Sequence, residues 1–144
     1  IIELFEDISK LYNGAILFIS HDLNLIERIS KRVLVMYAGR IVESADTSEL
    51  IKNPLHPYTK ALIKAVPSYK KRGEKLFNII GKVPALKNRS NVACPFWDRC
   101  DFTKDICKEK FPESSNFNGH IVHCHLFGDE NGRNIKDWKC RKNL

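Results

Sequence analysis

Apolar positions along the amino-terminal third of the chain change period repeatedly, and each change marks an element. Ile1, Leu4, Phe5, Ile8 and Leu11 recur at helical spacing, which predicts an amphipathic helix that Asn13-Gly14 ends through a left-handed residue. Ala15 to Ile19 is then an unbroken apolar run, rich in bulky β-formers and too short to cross a bilayer. It predicts a strand buried on both faces in a parallel sheet. The run ends in Ser20-His21-Asp22, and polar residues at the carboxyl end of such a strand sit where open α/β sheets bind ligands. His21 is therefore the first candidate functional residue, although a partnerless surface histidine fits this octapeptide equally well.

Asp22 is placed to cap a helix through Leu23, Leu25, Ile26 and Ile29, and Lys31-Arg32 suits the negative pole at its end. Val33 to Tyr37 predicts a strand, turned at Gly39-Arg40 into Ile41-Val42-Glu43 as a hairpin. Asp46-Thr47-Ser48-Glu49 starts a short helix that stops at Asn53, before Pro54. Pro57 opens another, with Tyr58, Ala61, Leu62 and Ala65 on its packing face and Pro67 at its end. Ser68 to Gly73 reads as a basic linker, and Leu76 to Ile80 as a short strand. A chain that opens inside an α/β unit reads as a piece of a longer domain.

Composition narrows the class without deciding it. At 144 residues, 43% hydrophobic and 28% charged, the chain is globular and long enough for one core. No stretch predicts a membrane-spanning helix or a secretory leader, so the expectation is a soluble intracellular chain. The net charge of +7 is spread among acids, which fits a solvated surface better than a nucleic-acid-binding patch. Five cysteines in such a chain point away from a disulfide framework and towards metal or cluster ligation.

Cys94, Cys100, Cys107 and Cys124 stand with five, six and sixteen residues between neighbours. Four thiolates suit a four-sulfur zinc site or an iron-sulfur cluster, and four reduced structural thiols satisfy the same pattern. Structural zinc usually shows closer cysteine pairs, so the wide spacing leans towards a [4Fe-4S] centre. His120, His123 and His125 crowd the last cysteine as alternative zinc ligands, outer groups or solvent-facing residues. Phe96, Trp97, Phe102 and Phe111 are candidates to wrap the centre, or simply to be core. His56 and Tyr58 read as the locked entry of a helix rather than as ligands. Cys140 lies in a charged tail beside Trp138, where a lone thiol is usually inert.

Three stretches resemble one family. The segment AILFISHDL, the helix NLIERISKR and the hairpin VLVMYAGRIVESA resemble the end of an ATP-binding-cassette (ABC) ATPase domain. Asn53-Pro54-Leu55-His56-Pro57-Tyr58-Thr59-Lys60-Ala61-Leu62 resembles the NP-x-HPYT-x-AL segment of the oligopeptide and dipeptide importer branch, which also includes nickel importers. Gly81-Lys82-Val83-Pro84 and the Cys94, Cys100, Cys107 and His123-Cys124-His125 pattern resemble that branch's carboxy-terminal extension.

The resemblance implies an α/β fold: the carboxy-terminal end of an ABC ATPase domain over residues 1–53, a small irregular α+β Cys-rich extension over 54–127, and a charged tail over 128–144. It implies that His21 contacts the γ-phosphate of ATP, with magnesium, in a full-length protein. It also implies that Cys94, Cys100, Cys107 and Cys124 hold a [4Fe-4S] cluster, with zinc as the alternative. The implied setting is the cytoplasmic face of the cell membrane, with transmembrane permease subunits and a second ATPase subunit, and no nucleic acid. The G-x4-GK[ST] phosphate loop and the LSGGQ-like signature are absent from these residues, and no magnesium-binding acid is recognisable. The chain alone is therefore expected not to hydrolyse ATP, and exposed strand edges could make it self-associate. A self-standing metal-binding interaction module is the alternative function.

Overall fold

Two tight reversals shape the sheet in the computed structural model, which describes residues 7, 8, 14–66, 79, 81–85, 90 and 92–128. Strand β1 (Arg32–Tyr37) turns through Ala38-Gly39 into β2 (Arg40–Asp46), and both central residues have positive φ, 48° and 88°. Such a two-residue turn matches the right-handed twist of the strands it joins. Strands β3 (Ser114–Phe117) and β4 (His120–His123) are joined in the same way by Asn118-Gly119, with φ of 53° and 90°. The order is β1-β2-β4-β3, and every neighbouring pair is antiparallel. The sheet thus joins strands from both sides of the boundary expected at residue 53.

The strand buried on both faces is β2, not Ala15 to Ile19. Residues 15–20 have no regular secondary structure, and Leu17 and Ile19 are 83% and 88% exposed. An apolar run becomes a doubly buried parallel strand only when strands flank it and helices cover it. None of the described residues do either, which corrects the expected parallel sheet. Strand β2 has those neighbours, lying between β1 and β4, and Val42, Glu43, Ser44 and Ala45 are all buried. Its pairing with β1 slips between Val35 and Met36, so Val42 is an extra residue facing no direct partner. Such a bulge re-aims the side chains that follow it, here Glu43.

Helix α1 (Leu23–Ile29) begins as expected, with Asp22 Oδ1 accepting the N–H groups of Asn24 and Leu25 at 3.0 and 3.3 Å. Helix α2 (Thr47–Lys52) differs: Asp46 makes no side-chain cap, and the Thr47 hydroxyl instead donates to the Ser30 carbonyl at 2.7 Å, tying α2 to the end of α1. Helix α3 (Pro57–Ala65) starts at Pro57 and ends at Ala65. It buries Pro57 and Thr59, with Tyr58 and Ile63 packed against the core. The expected face through Ala61, Leu62 and Ala65 is only partly buried.

The core is a small aromatic and aliphatic cluster drawn from distant parts of the chain. Tyr37 from β1, Tyr58 from α3 and Phe96 from the cysteine segment meet with ring centroids 4.6, 5.2 and 5.5 Å apart. Val35, Val42, Ala45, Leu50, Cys94 and Cys107 complete it. Tilted and edge-on rings at these distances add about 0.5–1.5 kcal/mol per pair beyond burial. The helix expected over Ile1 to Tyr12 lies outside the described residues apart from Asp7 and Ile8, as does the strand over Leu76 to Ile80 apart from Ile79.

Candidate functional site

The four cysteines, spread from residue 94 to 124, line one small pocket that opens to solvent. Short turns place three of them. The Cys94, Cys100 and Cys124 carbonyls accept the N–H groups of Trp97, Thr103 and Phe127 at 3.2, 3.1 and 3.0 Å. In each turn the chain reverses at once, so the N–H groups after the cysteine face back towards its sulfur. Phe96 and Trp97 donate to the Cys94 sulfur, Phe102 to Cys100 and Leu126 to Cys124. Cys107 is reached from the other direction: the Lys104 N–H lies 3.5 Å from its sulfur. Helix α4 (Ile106–Glu109) carries Cys107, and the Cys94 N–H donates to the Cys107 carbonyl at 2.9 Å, bracing the first and third cysteines.

Such backbone donors favour thiolate, yet burial opposes it. Burial, with neighbouring cysteines adding repulsion, pushes the Cys100 thiol up to about 11 and Cys124 up to about 12, and raises Cys94 in the same sense. All four are free thiols. Cys94, Cys107 and Cys124 are buried and Cys100 half-buried, and as neutral thiols they need no counter-ion; only as thiolates would such a set require a cation to balance it. The fit is not to a single ready-made ion site. Among the described residues, no group of three His, Cys, Asp or Glu residues could hold a metal ion. The zinc alternative needs four donors within about 2.3 Å of one point. The sulfurs border a cavity instead.

The histidines divide. His125 borders the cavity but donates Nε2–H to the Lys110 carbonyl at 2.9 Å, and His123 Nδ1 pairs with the Pro112 carbonyl at 3.2 Å. His120 is buried, with Nε2 2.7 Å from Glu43 Oε1. Of the four aromatic residues considered as a wrapping, Phe96, Trp97 and Phe102 line the cavity. Phe111 instead stacks under the Arg40 guanidinium, 4.6 Å away, and beside His123. His21 is exposed, far in sequence from the cysteines, and is not among the residues lining their cavity.

Two residues matter here beyond the sequence reading, which placed Glu43 only in the hairpin and took His56 for a helix entry. Glu43 is fully buried, and its carboxylate accepts the Leu55 N–H at 2.6 Å, the His56 N–H at 3.1 Å and the His120 ring at 2.7 Å. It therefore fixes the HPYT segment onto β2 and β4. His56 borders the thiol cavity, and its Nδ1 accepts the Tyr58 N–H at 3.1 Å. The signal for Glu43 was a lone acid inside the apolar stretch Ile41 to Ala45, where a charge demands partners. For the β3-β4 hairpin it was Asn118-Gly119, the strongest two-residue hairpin signal.

Residues 42–107 match the family described as "Oligopeptide/dipeptide transporter, C-terminal region". That span takes in Glu43, His56, Cys94, Cys100 and Cys107. The oligopeptide transport ATP-binding protein AppF of Bacillus subtilis is 44% identical over 131 residues, 88% of this chain and 40% of that protein. The dipeptide transport ATP-binding protein DppD of Caldanaerobacter subterraneus is 34% identical over 137 residues, 94% of this chain and 41% of that protein. The chain corresponds to the carboxy-terminal region of an oligopeptide/dipeptide transporter ATP-binding protein. A probable peptide ABC transporter ATP-binding protein of Sinorhizobium fredii matches similarly, at 41% identity over 86% of this chain and 37% of its own length. The chain thus spans about two fifths of the length of the curated relatives it matches. These names speak of transport and ATP binding, not of metal, and they do not favour a self-standing interaction module. In this transporter region no described helix is long and apolar enough to cross a membrane.

Proposed function

We propose that this region serves an ATP-hydrolysing subunit that powers ABC-type import of peptides, or of nickel, from the cytoplasmic face of the membrane. In that reading, permease subunits and a second ATPase subunit are the partners. The similarity along nearly the whole chain to three peptide-transport ATP-binding proteins carries the reading. Exposed Leu17 and Ile19 support it, because the stretch before His21 gains strand neighbours only from the remainder of such a subunit. His21 then stands at the carboxyl end of a completed strand, where an imidazole meets the γ-phosphate and orients water. The test is His21→Ala in a full-length subunit carrying this region: ATP turnover collapses while ATP binding persists. Unchanged turnover would refute the role of His21.

Within the same reading, Cys94, Cys100, Cys107 and Cys124 hold a [4Fe-4S] cluster. The convergence of four free thiols on one cavity, each with a backbone N–H, supports this. When bound, the cluster supplies the positive charge that lets the four sulfurs ionise, and one-electron redox capacity. The turns at Cys94, Cys100 and Cys124 orient the thiolates, and Phe96, Trp97 and Phe102 limit water. Iron, zinc and acid-labile sulfide, measured with a visible spectrum on protein purified without oxygen, test the assignment. About four irons and four sulfides per chain are expected. One zinc without sulfide would overturn it.

A further inference from the structure

Two imidazoles border the thiol cavity, and the ring nitrogens they have left to offer differ in polarity. His56 is 1% exposed, and its Nδ1 accepts the Tyr58 N–H at 3.1 Å as the cap of α3. A neutral imidazole that accepts at Nδ1 carries its proton at Nε2, so the helix cap sets the tautomer. The ring is indeed neutral, because burial and, to a lesser degree, His123 lower its pKa to about 3. Among the described residues its Nε2–H has no hydrogen-bond partner, although the ring lines the cavity into which the four sulfurs open. Among the described residues the fully enclosed side-chain polar atom without a partner is Thr59 Oγ1, so the His56 Nε2–H keeps an opening onto the pocket and is free to meet an acceptor there. His125 has already spent Nε2–H on the Lys110 carbonyl, which leaves a bare acceptor at Nδ1 when the ring is neutral. Thiolate and sulfide sulfur accept and do not donate, so of the two rings His56 has the matching polarity.

We propose that His56 Nε2–H donates a hydrogen bond to a sulfur of the centre held by Cys94, Cys100, Cys107 and Cys124, and thereby raises its reduction potential. The proposal rests on the cluster reading above. Hydrogen bonds to the sulfurs stabilise the more negative, reduced state, which moves the potential upward. The Glu43 carboxylate makes the donor stiff by holding the Leu55 and His56 N–H groups, so the ring enters the cavity from a fixed backbone.

Two substitutions separate the two ring nitrogens. His56→Asn keeps an acceptor for the Tyr58 N–H, since asparagine is a favoured cap, but withdraws the distal donor. His56→Gln offers an amide N–H near the Nε2 position and gives up the cap. Both are made in the full chain, purified without oxygen, and assayed for iron, zinc and acid-labile sulfide. The midpoint potential is then read by one-electron titration with dithionite through mediators; no bond to His56 forms or breaks. At a fixed ambient potential, His56→Asn is expected to lower the ratio of reduced to oxidised centre about tenfold, about 59 mV for a one-electron couple. His56→Gln is expected to stay closer to wild type despite a lower thermal midpoint. A wild-type potential in His56→Asn overturns the proposal, as does a shift in His56→Gln as large as that in His56→Asn. Loss of the cluster from both variants, with native circular dichroism, would leave His56 a structural cap and also overturn it. Those outcomes, in a chain whose wild type carries iron and sulfide, leave the cluster reading standing. Wild-type protein with zinc, or without iron and sulfide, overturns both.

Discussion

Replacing Glu43 tests whether one buried carboxylate joins the two parts of this chain. Its Oε1 takes the Leu55 N–H and the His120 ring, and its Oε2 takes the His56 N–H. Glu43→Ala strands all three donors in a site with no solvent access, at about 1–3 kcal/mol each. Taken together, the three stranded donors lead us to expect about 5 kcal/mol in all. That is a large part of the roughly 5–15 kcal/mol that holds a domain folded. Glu43→Gln keeps the shape but must aim its NH₂ at one of the donors, whichever way the amide is turned. It should cost about 2–3 kcal/mol, the penalty for one or two donors left facing a donor. Urea unfolding followed by tryptophan fluorescence gives both values, and Glu43/His120 double mutants give the coupling, expected at about 1.5–3 kcal/mol. A loss below about 1 kcal/mol for Glu43→Ala, or a greater loss for Gln than for Ala, would sink the reasoning.

Three further outcomes follow from the same geometry. Serine at any one of Cys94, Cys100, Cys107 or Cys124 should cut bound iron and sulfide to a small fraction of wild type, and loading should release protons, since burial holds the thiol pKa values of Cys94, Cys100 and Cys124 up; isothermal titration in buffers of different ionisation enthalpy counts them. His56 has a folded pKa of about 3 against 6.5 unfolded, so the unfolded chain binds the extra proton between those values and stability falls as pH falls through that window. From pH 6.5 to 5 the loss is about 2 kcal/mol, absent from His56→Asn, and the difference between the two urea curves checks it. Gly119→Val places a β-branched side chain at φ +90°, where open space does not relieve the backbone, and should cost about 1–3 kcal/mol in thermal unfolding.

Local elements were legible wherever one side chain or turn decides them. Asp22 announced α1, Pro57 announced α3, and the reversal at Gly39 announced the first hairpin, and all three stand. The apolar run before His21 forms no strand among the described residues, because composition reports only a wish for burial, and burial of a strand is a property of its neighbours. Glu43 was read only as part of the hairpin, since nothing local says which three donors will surround it. The cysteine set was visible as a spacing, but a spacing does not say which loops meet.

The sequence by itself therefore determined part of the short-range physics: the Asp22 cap, the Pro57 helix start, the first hairpin turn, and the four thiols that line one pocket. Only the tertiary structure decided that β2 is the doubly buried strand, that Glu43 bolts the HPYT segment to it, and that His56 shares a cavity with the cysteines. The physical reason is that caps and tight turns are settled within about four residues by hydrogen bonds and sterics. Burial and electrostatic partnership are settled by segments far apart in the chain, 77 residues for Glu43 and His120, and become visible only once the chain has closed on itself.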